Sequence, residues 1–341
     1  MKKYTSIIVT GSISWDIIMD FPHKFADYFH AEKLHQINIS FAVDSLEKQM
    51  GGTATNIAYG ASQAKKLFSP SSSGLTRGSM DSPSESEGGN DVTVHILGGL
   101  GKDGKEHLAL FKKNGISSKG IVINKTKFSA HGSVITDMKD NQIWGFYYGA
   151  CEDGKRVDLK KYVNKKSLLI ISANHPDAFL ATQEYAIKNN IDYLYDAGMS
   201  LTWIKNTDLQ KGVMNATYLI GNDYEIAMIT KRLKITVNAL VKKGINVITT
   251  LGAEGVRLDS VVESIAVLVP AAVNMKKVID PTGAGDAWRG GFVMAYTAGY
   301  KISDCLKIGN VGASFAIEHY GTVNYQISKK EFEKRLKSLD V

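Results

Sequence analysis

The residues best suited to chemistry lie in one short run, Asp-Pro-Thr-Gly-Ala-Gly-Asp-Ala at 280–287, which a helical pattern follows. Glycines at the start of a helix leave backbone N–H groups bare, and the helix dipole adds positive potential there, so the run predicts an anion site. Asp286 stands at its edge, where a carboxylate can take a proton from an alcohol while a phosphoryl group arrives. The alternative is that Asp286 only caps the helix. The preceding glycines and turn favour the chemical role.

The elements that must position this run have the pattern of an α/β protein. Almost continuously apolar runs, typical of strands buried on both faces of a parallel sheet, occur at 6–10, 92–97, 167–172, 191–195, 216–220 and 246–251. Helical patterns lie between them at 52–66, 104–113, 177–188 and 286–298. This alternation predicts the fold class as a doubly wound, mostly parallel sheet that binds ligands at the carboxyl ends of its strands.

Two stretches, 33–45 and 129–149, do not fit the alternation and are typical of antiparallel strands and a hairpin turning at Asp140-Asn141. We therefore predict one domain over residues 1–341 that carries a small β-sheet lid, built from about 14–50 and 129–149. The segment 69–91 is rich in Ser, Gly and Pro and has almost no apolar residues, so it predicts a mobile surface insertion.

The composition excludes several classes of protein. A chain of 341 residues with 44% apolar and 22% charged residues is neither a disulfide-stapled miniprotein nor a disordered chain. The net charge of +7 is scattered rather than gathered in a stripe, which suits small anions better than nucleic acid. No apolar run approaches the roughly 20 residues of a membrane span. The two cysteines, Cys151 and Cys305, are far apart and read as packing residues, so we expect a reducing, cytoplasmic location.

Four motifs in order make the chain resemble the ribokinase-like (PfkB) kinases. The run at 280–287 looks like the second family signature, and Gly-Gly-Thr-Ala-Thr-Asn-Ile-Ala at 51–58 looks like the first. Asn-Asp-Tyr-Glu at 222–225 matches the NxxE element, and Thr-Leu-Gly-Ala-Glu-Gly at 250–255 is close to the TxGxxG turn. The resemblance runs from residue 6 to about 328. Within the family, the N-terminal run, the hairpin and the Ile-Glu-His-Tyr-Gly-Thr tail are most similar to bacterial adenosine kinases.

The resemblance implies an ATP- and Mg²⁺-dependent kinase that phosphorylates the 5′-hydroxyl of a nucleoside, adenosine to AMP being the first reading. Asp286 is then the base for that hydroxyl, while Gly283, Ala284 and Gly285 supply N–H groups to the γ-phosphate. In relatives that use a monovalent cation, Asp280 and Thr282 stand near it, and such an ion is left open here.

The resemblance also implies a substrate pocket in which Asp16 holds the ribose hydroxyls, since carboxylates and amides suit a vicinal diol. Asp16 could instead cap a turn, and Asn56 could be a buried amide that bonds a carbonyl. The implied substrate-binding residues are Ser12, Asp16, Ser40, Gly52, Asn56 and Phe146.

For the phosphate donor, the resemblance implies that Glu225 acts on Mg²⁺ through water, because Mg²⁺ dehydrates reluctantly. Glu225 could instead pair with a surface lysine, and the glycines at 250–255 could only form a turn. Arg289 could reach an ATP phosphate or make a structural salt bridge. The implied nucleotide-binding residues are Asn222, Thr250, Gly252, Gly255 and Asn310.

Some positions depart from the adenosine kinase pattern. Met199 and Ser200 stand where bacterial adenosine kinases carry two glutamines, and a stacking partner for the base falls near Gly132, which has no side chain. The loss of an amide could relax the choice of base. The alternative acceptor is therefore a sugar such as ribose or a hexose.

Other function classes were weighed against the kinase. Residues 99–104 match GxGxxG after a strand, but the acidic residue expected about 20 positions later in a dinucleotide-binding fold is missing. A catalytically silent nucleoside-binding protein with the same fold is disfavoured by the intact run at 280–287. The expected partners are a small-molecule substrate and, since relatives pair through the lid, a second copy of the chain.

Overall fold

A computed structural model describes residues 4–29, 39–68, 92–139, 141–261, 267–269, 271 and 277–339. The strands of this part of the chain are β1 (Ser6–Thr10), β2 (Ser14–Asp20), β3 (Ser45–Gly51), β4 (Thr93–Leu100), β5 (Ser117–Ile123), β6 (Ala130–Thr136), β7 (Gln142–Tyr147), β8 (Ser167–Ile171), β9 (Tyr193–Tyr195), β10 (Tyr218–Asn222), β11 (Asn246–Thr250), β12 (Val256–Asp259) and β13 (Val267–Val269). The α-helices are α1 (Thr53–Lys65), α2 (Lys105–Lys113), α3 (Pro176–Lys188), α4 (Asn206–Met214), α5 (Asp223–Leu233), α6 (Val237–Lys242), α7 (Ala284–Thr297), α8 (Ile302–Ala316) and α9 (Lys329–Lys337). No helix of the described part is both long enough and apolar enough to cross a lipid bilayer.

Nine strands form a large mixed sheet in the order β13-β12-β11-β10-β9-β8-β1-β4-β5. The strands from β11 to β5 run parallel, and β12 and β13 add antiparallel pairs at one edge. Successive side chains of β1 alternate between two cores, since Ile7 and Val9 face α1, α7 and α8 while Ile8 faces the layer of α3 to α6. Burial on both faces is why these strands read as continuously apolar, and the predicted fold class is confirmed.

The six predicted strands coincide with β1, β4, β8, β9, β10 and β11 within three residues at each end, and the four predicted helices coincide with α1, α2, α3 and α7. The antiparallel edge of β12 and β13 and the helices α4 to α6, α8 and α9 were not predicted. Short helices such as α6, six residues long, carry too few turns for a clear apolar period.

A second sheet of four strands, in the order β3-β2-β6-β7, lies apart from the first. Strands β6 and β7 are the predicted hairpin, whereas the strand predicted over 33–45 is wrong in its described part, because β3 begins only at Ser45. Phe41 lies 4.6 Å from Phe21 and 5.2 Å from Phe25 between ring centroids, so an aromatic cluster rather than a strand ladder holds this stretch. Residues 30–38, the turn residue Asp140 and the insertion 69–91 lie outside the described residues.

The glycines of the GxGxxG sequence serve backbone packing. A Cβ built on Gly99, within β4, would lie 1.8 Å from the carbonyl oxygen of Ala150, and one on Gly101 would lie 2.0 Å from the amide nitrogen of Ser129. Both positions therefore require glycine so that a neighbouring chain segment can approach. The motif has a structural explanation that needs no dinucleotide.

Helices α1 and α7, which begin at the two glycine-rich signatures, cross in close contact. A Cβ on Gly290 of α7 would lie 2.5 Å from the amide nitrogen of Ala61, and one on Gly60 of α1 would lie 3.2 Å from the Cα atom of Ala287. The contact is backbone against backbone, so neither helix can yield by turning a side chain. This crossing fixes the relative position of the two helix N-termini.

We predict that Gly290→Ala destabilises the protein by about 1–3 kcal/mol or more, because overpacking a rigid contact forces the backbone to move. The free energy of unfolding, measured by urea titration, tests this. Gly145→Ala is the matched control, since a Cβ at this strand residue meets nothing within 4 Å. Equal stability of the two variants would show that the α1–α7 crossing is not tight.

Candidate active site

A cavity of about 730 Å³ opens at the carboxyl ends of the parallel strands. Five of these strands end at its wall, and the residues after β1, β8 and β9 that line it are Ser12, Ala173 and Asp196. Side chains of the second sheet, among them Asp16 and Phe146, close it from the opposite side. Strand ends of a doubly wound sheet are where such folds bind ligands.

Most residues proposed from the sequence meet in this cavity. Segments as far apart as Ser12 and Asp286 in the chain converge there because α1, α7, the strand ends and the second sheet share one edge. The proposed residues that line it are Ser12, Asp16, Gly52, Asn56, Phe146, Asn222, Glu225, Thr250, Gly252, Gly283, Gly285 and Asp286.

A smaller cavity of about 330 Å³ adjoins the first and shares Thr250, Gly252 and Gly285 with it. Ala284, Gly255 and Asn310 line only this smaller cavity. The amide of Asn310 accepts a hydrogen bond from the indole N–H of Trp288 at 2.7 Å and donates one to the Val269 carbonyl at 3.2 Å. Asn310 is therefore placed at the wall, with a structural role for its side chain.

Ser40 does not lie where the resemblance implied. It is exposed, belongs to the irregular segment before β3 and lines neither cavity. The resemblance implied that Ser40 lines the same pocket as Ser12. Since β3 starts at Ser45, Ser40 stays outside the site.

The start of α7 has the geometry of an anion site. Gly283 is the N-cap with a left-handed φ of 76°, a conformation that favours glycine. The Ala284 N–H is used by the Pro281 carbonyl at 3.2 Å, whereas the N–H groups of Gly283 and Gly285 have no acceptor within the described ranges. Two donors rather than the expected three therefore face outward.

Asp280 holds the loop before α7 in place. Its Oδ1 accepts the backbone N–H of Thr282 at 2.9 Å, and its Oδ2 accepts that of Gly321 at 3.0 Å. One carboxylate thus ties the turn that leads into α7 to the segment that follows α8. The monovalent ion near Asp280 and Thr282 remains a prediction.

Asp286 lies in the first turn of α7 and faces the large cavity. Its Oδ2 accepts a hydrogen bond from the Asn56 amide at 2.9 Å. Burial raises the pKa of the Asp286 carboxyl to about 6, against the opposing effects of the Arg289 charge and the Asn56 hydrogen bond. The carboxylate can therefore be ionised near neutral pH and still accept a proton readily.

Arg289 makes the structural salt bridge weighed from the sequence. Its Nε lies 2.6 Å from Oδ2 of Asp196, and its NH2 group donates to Oδ1 of the same carboxylate at 3.1 Å. Both residues are buried, at 7% and 4% exposure. Arg289 also lines the large cavity, so its guanidinium, held in place by Asp196, provides a positive charge close to Asp286.

Asp16 projects from β2 on the face of the second sheet that meets the cavity. A Cβ at Gly51, on the paired strand β3, would lie 1.9 Å from Asp16 Oδ2, so glycine makes room for the carboxylate. Burial raises the pKa of Asp16 to about 6, partly offset by a hydrogen bond from Ser14 and by His131. Within the described part of the chain, no backbone N–H donates to this carboxylate to cap a turn, and Oδ1 alone accepts a hydrogen bond, which leaves Oδ2 for a ligand.

Trp144 was missed by the sequence reasoning. It lines the cavity two residues before Phe146 on β7, and a Cβ at Gly132 would lie 3.3 Å from its ring. The space left by the missing side chain at Gly132 is thus bordered by Trp144, which supplies an aromatic surface there. The signal was available, because residues two apart on a strand share a face.

The Asn-Asp-Tyr-Glu element forms the N-terminus of α5. Asn222 Oδ1 accepts the backbone N–H of Glu225 at 2.8 Å, and Glu225 Oε2 accepts that of Asn222 at 2.8 Å, which is a capping box. Burial raises the pKa of Glu225, and nearby Asp196 raises it further. The cap uses only Oε2, so Glu225 Oε1 is left for a ligand at the cavity.

We predict that Arg289→Met lowers the free energy of unfolding by about 3–5 kcal/mol, because it leaves Asp196 buried without its cation. Urea titration measures the loss, and Arg289→Met combined with Asp196→Asn should recover part of it. The control is Arg257→Met, which breaks a 2.9 Å pair with Asp259 at the surface and should cost less than about 1 kcal/mol. Similar losses in both single variants would contradict the role assigned to the buried pair.

Comparison with known proteins places this geometry in a family. The model for pfkB family carbohydrate kinases matches residues 23–329. The nucleoside kinase of Methanothermobacter thermautotrophicus is 26% identical over 305 residues, which cover 88% of this chain and 89% of that protein. The adenosine kinase of Schizosaccharomyces pombe is more distant, with 22% identity over 244 residues that cover 65% of this chain and 72% of that protein.

Among solved structures, the nucleoside kinase of Burkholderia thailandensis in complex with inosine superposes with a TM-score of 0.79 at 24% identity, covering 98% of this chain and 97% of that one. The resemblance drawn from the four sequence motifs is thereby confirmed at the level of the family. Because the family model matches nearly the whole described chain, the protein belongs to the pfkB family of carbohydrate kinases, enzymes that transfer a phosphoryl group to a hydroxyl group.

Proposed function

We propose that this protein is an ATP-dependent nucleoside kinase that phosphorylates the 5′-hydroxyl of its substrate. The observation that carries the proposal is the position of Asp286 and Gly285 at the junction of two adjoining cavities. A donor nucleotide in the smaller cavity and an acceptor in the larger one would meet at the N-terminus of α7. A base and unpaired N–H groups stand at that meeting point.

In the proposed step, Asp286 accepts the proton of the acceptor hydroxyl. The oxygen of that hydroxyl forms a bond to the γ-phosphorus of ATP at the same time. The bond from that phosphorus to the bridging oxygen breaks, and ADP leaves with the electron pair. The N–H groups of Gly283 and Gly285 donate to the phosphoryl oxygens as charge moves across them. Ionised Asp286 is required, so turnover should fall as the pH drops through about 6.

The residues present fit a Mg²⁺ ion held largely by phosphate and water. Glu225 offers one carboxylate oxygen beyond its capping bond, and oxygen is the ligand that Mg²⁺ prefers. Asp196, which also lines the cavity, is already paired with Arg289. A bound Mg²⁺ would neutralise charge on the β- and γ-phosphates of ATP.

The lining of the large cavity favours a nucleoside over a free sugar. Trp144, Phe146 and Met199 give the cavity apolar surface, and the two aromatic rings border the same Gly132 position as the polar Asp16. Such a surface suits the flat faces of a base, whereas Asp16 and Asn56 suit ribose hydroxyls. The inosine complex of the similar structure supports this reading. Met199, in place of an amide, gives no hydrogen-bond donor for reading adenine, so adenosine is the first acceptor to test rather than an established one.

The outer face of the second sheet supports a homodimer. A row of aliphatic side chains crosses all four strands on the face opposite Asp16, formed by Leu46, Met19, Ile135 and Ile143 in register. Leu46 is 65% exposed and Ile143 is 40% exposed. A contiguous apolar row on a protein surface marks an interaction site, and a second copy could cover it.

We expect the purified protein to release ADP from ATP when adenosine is the acceptor. A panel of acceptors measures how well other nucleosides replace adenosine. Adenosine, inosine, guanosine, cytidine, ribose and fructose phosphates are compared by kcat/KM. The kcat/KM values for nucleosides should be higher than those for sugars, because a sugar has no base to contact Trp144 and Phe146. A higher kcat/KM for ribose or a sugar phosphate would replace this proposal with the sugar-kinase alternative.

Asp286→Asn is the control for the chemistry. It keeps the shape of the side chain but removes the base, so turnover should be lost while nucleoside binding, measured by calorimetry, largely survives. Near-normal turnover in this variant would rule out Asp286 as the base. ADP release that needs no acceptor would point instead to a nucleoside-binding protein with residual ATP hydrolysis.

We predict that wild-type protein has twice the chain mass of 37.2 kDa in light scattering, and that Leu46→Glu with Ile143→Glu shifts it toward the single-chain mass. Charges placed in an apolar contact are costly to bury. Ile123→Glu is the matched control, since this residue is 46% exposed but lies at the end of β5 in the other sheet. A monomeric wild type, or equal effects of both changes, would contradict dimerisation through this face.

A further inference from the structure

Thr322, between α8 and α9, is buried directly behind the base. It is 6% exposed, and its hydroxyl donates to Oδ1 of Asn56 at 2.7 Å, while Nδ2 of Asn56 donates to Asp286 at 2.9 Å. We infer that Thr322 is a positioning residue for the phosphoryl transfer, which orients the amide of Asn56 so that its N–H, and not its carbonyl, faces the base. This inference rests on the proposed function only in assigning Asp286 as the base.

The orientation of an amide matters because its two ends have opposite effects on a carboxylate. An N–H group that faces Asp286 stabilises the ionised form that can accept a proton, whereas a carbonyl oxygen there repels it. Asn56 is 6% exposed, so neither of its ends is free to exchange its partner for bulk water. Its orientation must therefore come from protein neighbours.

Thr322 has a second acceptor within reach, the carbonyl of Met50 at 3.0 Å. A hydroxyl has one proton, so it donates to either Met50 or Asn56 at one time. When it donates to Asn56, the amide is held with its N–H toward Asp286. When it donates to Met50, its oxygen can accept from a flipped Asn56, and the carbonyl end then suits only a protonated Asp286. The hydroxyl thus couples the amide orientation to the ionisation of the base.

The position of Thr322 is itself fixed by the loop that leads into α7. The backbone N–H of the preceding Gly321 bonds to Asp280, and a Cβ at Gly283 would lie 2.7 Å from Cγ2 of Thr322. The methyl group of Thr322 therefore packs against the first glycine of the anion site while its hydroxyl reaches Asn56. One side chain contacts both parts of the phosphoryl-transfer machinery.

Other charged and titratable groups also face Asp286, and they set the background against which Thr322 acts. Arg289 on the same helix lowers the pKa of Asp286, whereas Asp196, just after β9, and Glu225, in the first turn of α5, raise it. Tyr325, on the same segment as Thr322, also interacts electrostatically with Asp286. Among the described residues, none of these four groups hydrogen-bonds the Thr322 hydroxyl, so removing that hydroxyl should change only the contribution of Asn56 to the pKa of Asp286.

The test is the pH dependence of kcat for Thr322→Val, which keeps the shape but removes the hydroxyl, with Thr322→Ser as the variant that restores it. In the profile of kcat against pH, the acid limb is the range in which kcat rises as Asp286 becomes ionised. For Thr322→Val we expect this limb to move to higher pH by about 0.5 to 1 pH unit, since one hydrogen bond no longer favours the ionised base. Thr322→Ser should keep the wild-type limb, and KM for ATP should be unchanged in both. If Thr322→Val does not fold, Thr322→Ala replaces it.

Thr297→Val is the matched control, because this buried threonine of α7 bonds only the Met294 carbonyl at 2.9 Å and should leave the limb in place. A carboxyl ¹³C titration of Asp286, assigned with Asp286→Asn, gives the same pKa without turnover. It therefore tests Thr322 even if the kinase proposal fails. An unshifted pKa in Thr322→Val, or an equal shift in Thr322→Ser, would overturn the inference, as would a general loss of stability with no shift.

Discussion

The active site depends on keeping one carboxylate charged where burial opposes that charge. Asp286 is surrounded by protein at the cavity wall, and burial alone makes its ionised form costly. Arg289, fixed in place by Asp196, supplies a positive charge nearby, and Asn56 supplies a hydrogen bond. With these contacts the pKa of Asp286 is about 6, so near neutral pH the carboxylate is ionised and still basic enough to take a proton.

Three parts of the fold meet at one edge of the large sheet and position the groups around this carboxylate. Strand ends bring Asp196 and the α5 cap, the α1–α7 crossing fixes Asn56 relative to Asp286, and the second sheet closes the far side with Asp16. The crossing is rigid because Gly290 permits backbone contact there. A rigid crossing matters more here than a tight core, since small displacements of a base and an anion site strongly reduce transfer rates.

The parts of the structure that were predictable from sequence are those with local signals. Strands buried on both faces, helix patterns and the glycine-rich start of α7 are written in consecutive residues. Contacts between distant segments left no such trace: Asn56 and Asp286 are separated by 230 positions, and Thr322 and Asn56 by 266. The resemblance placed Ser40 in the pocket, but Ser40 lies in an irregular segment that an aromatic cluster holds. Trp144 was missed although it shares a strand face with Phe146.

The division of labour between the two sheets explains why chemistry and acceptor choice can vary separately. The groups proposed to act on the phosphoryl group belong to α7, α5 and the large sheet, whereas Asp16, Trp144 and Phe146 belong to the second sheet. The glycine at position 132 leaves a space on the second sheet that Asp16, Trp144 and Phe146 border, away from Asp286 and its partners. Under the proposed function, a change of acceptor therefore requires changes only on the second sheet, while the buried charge network around Asp286 stays intact.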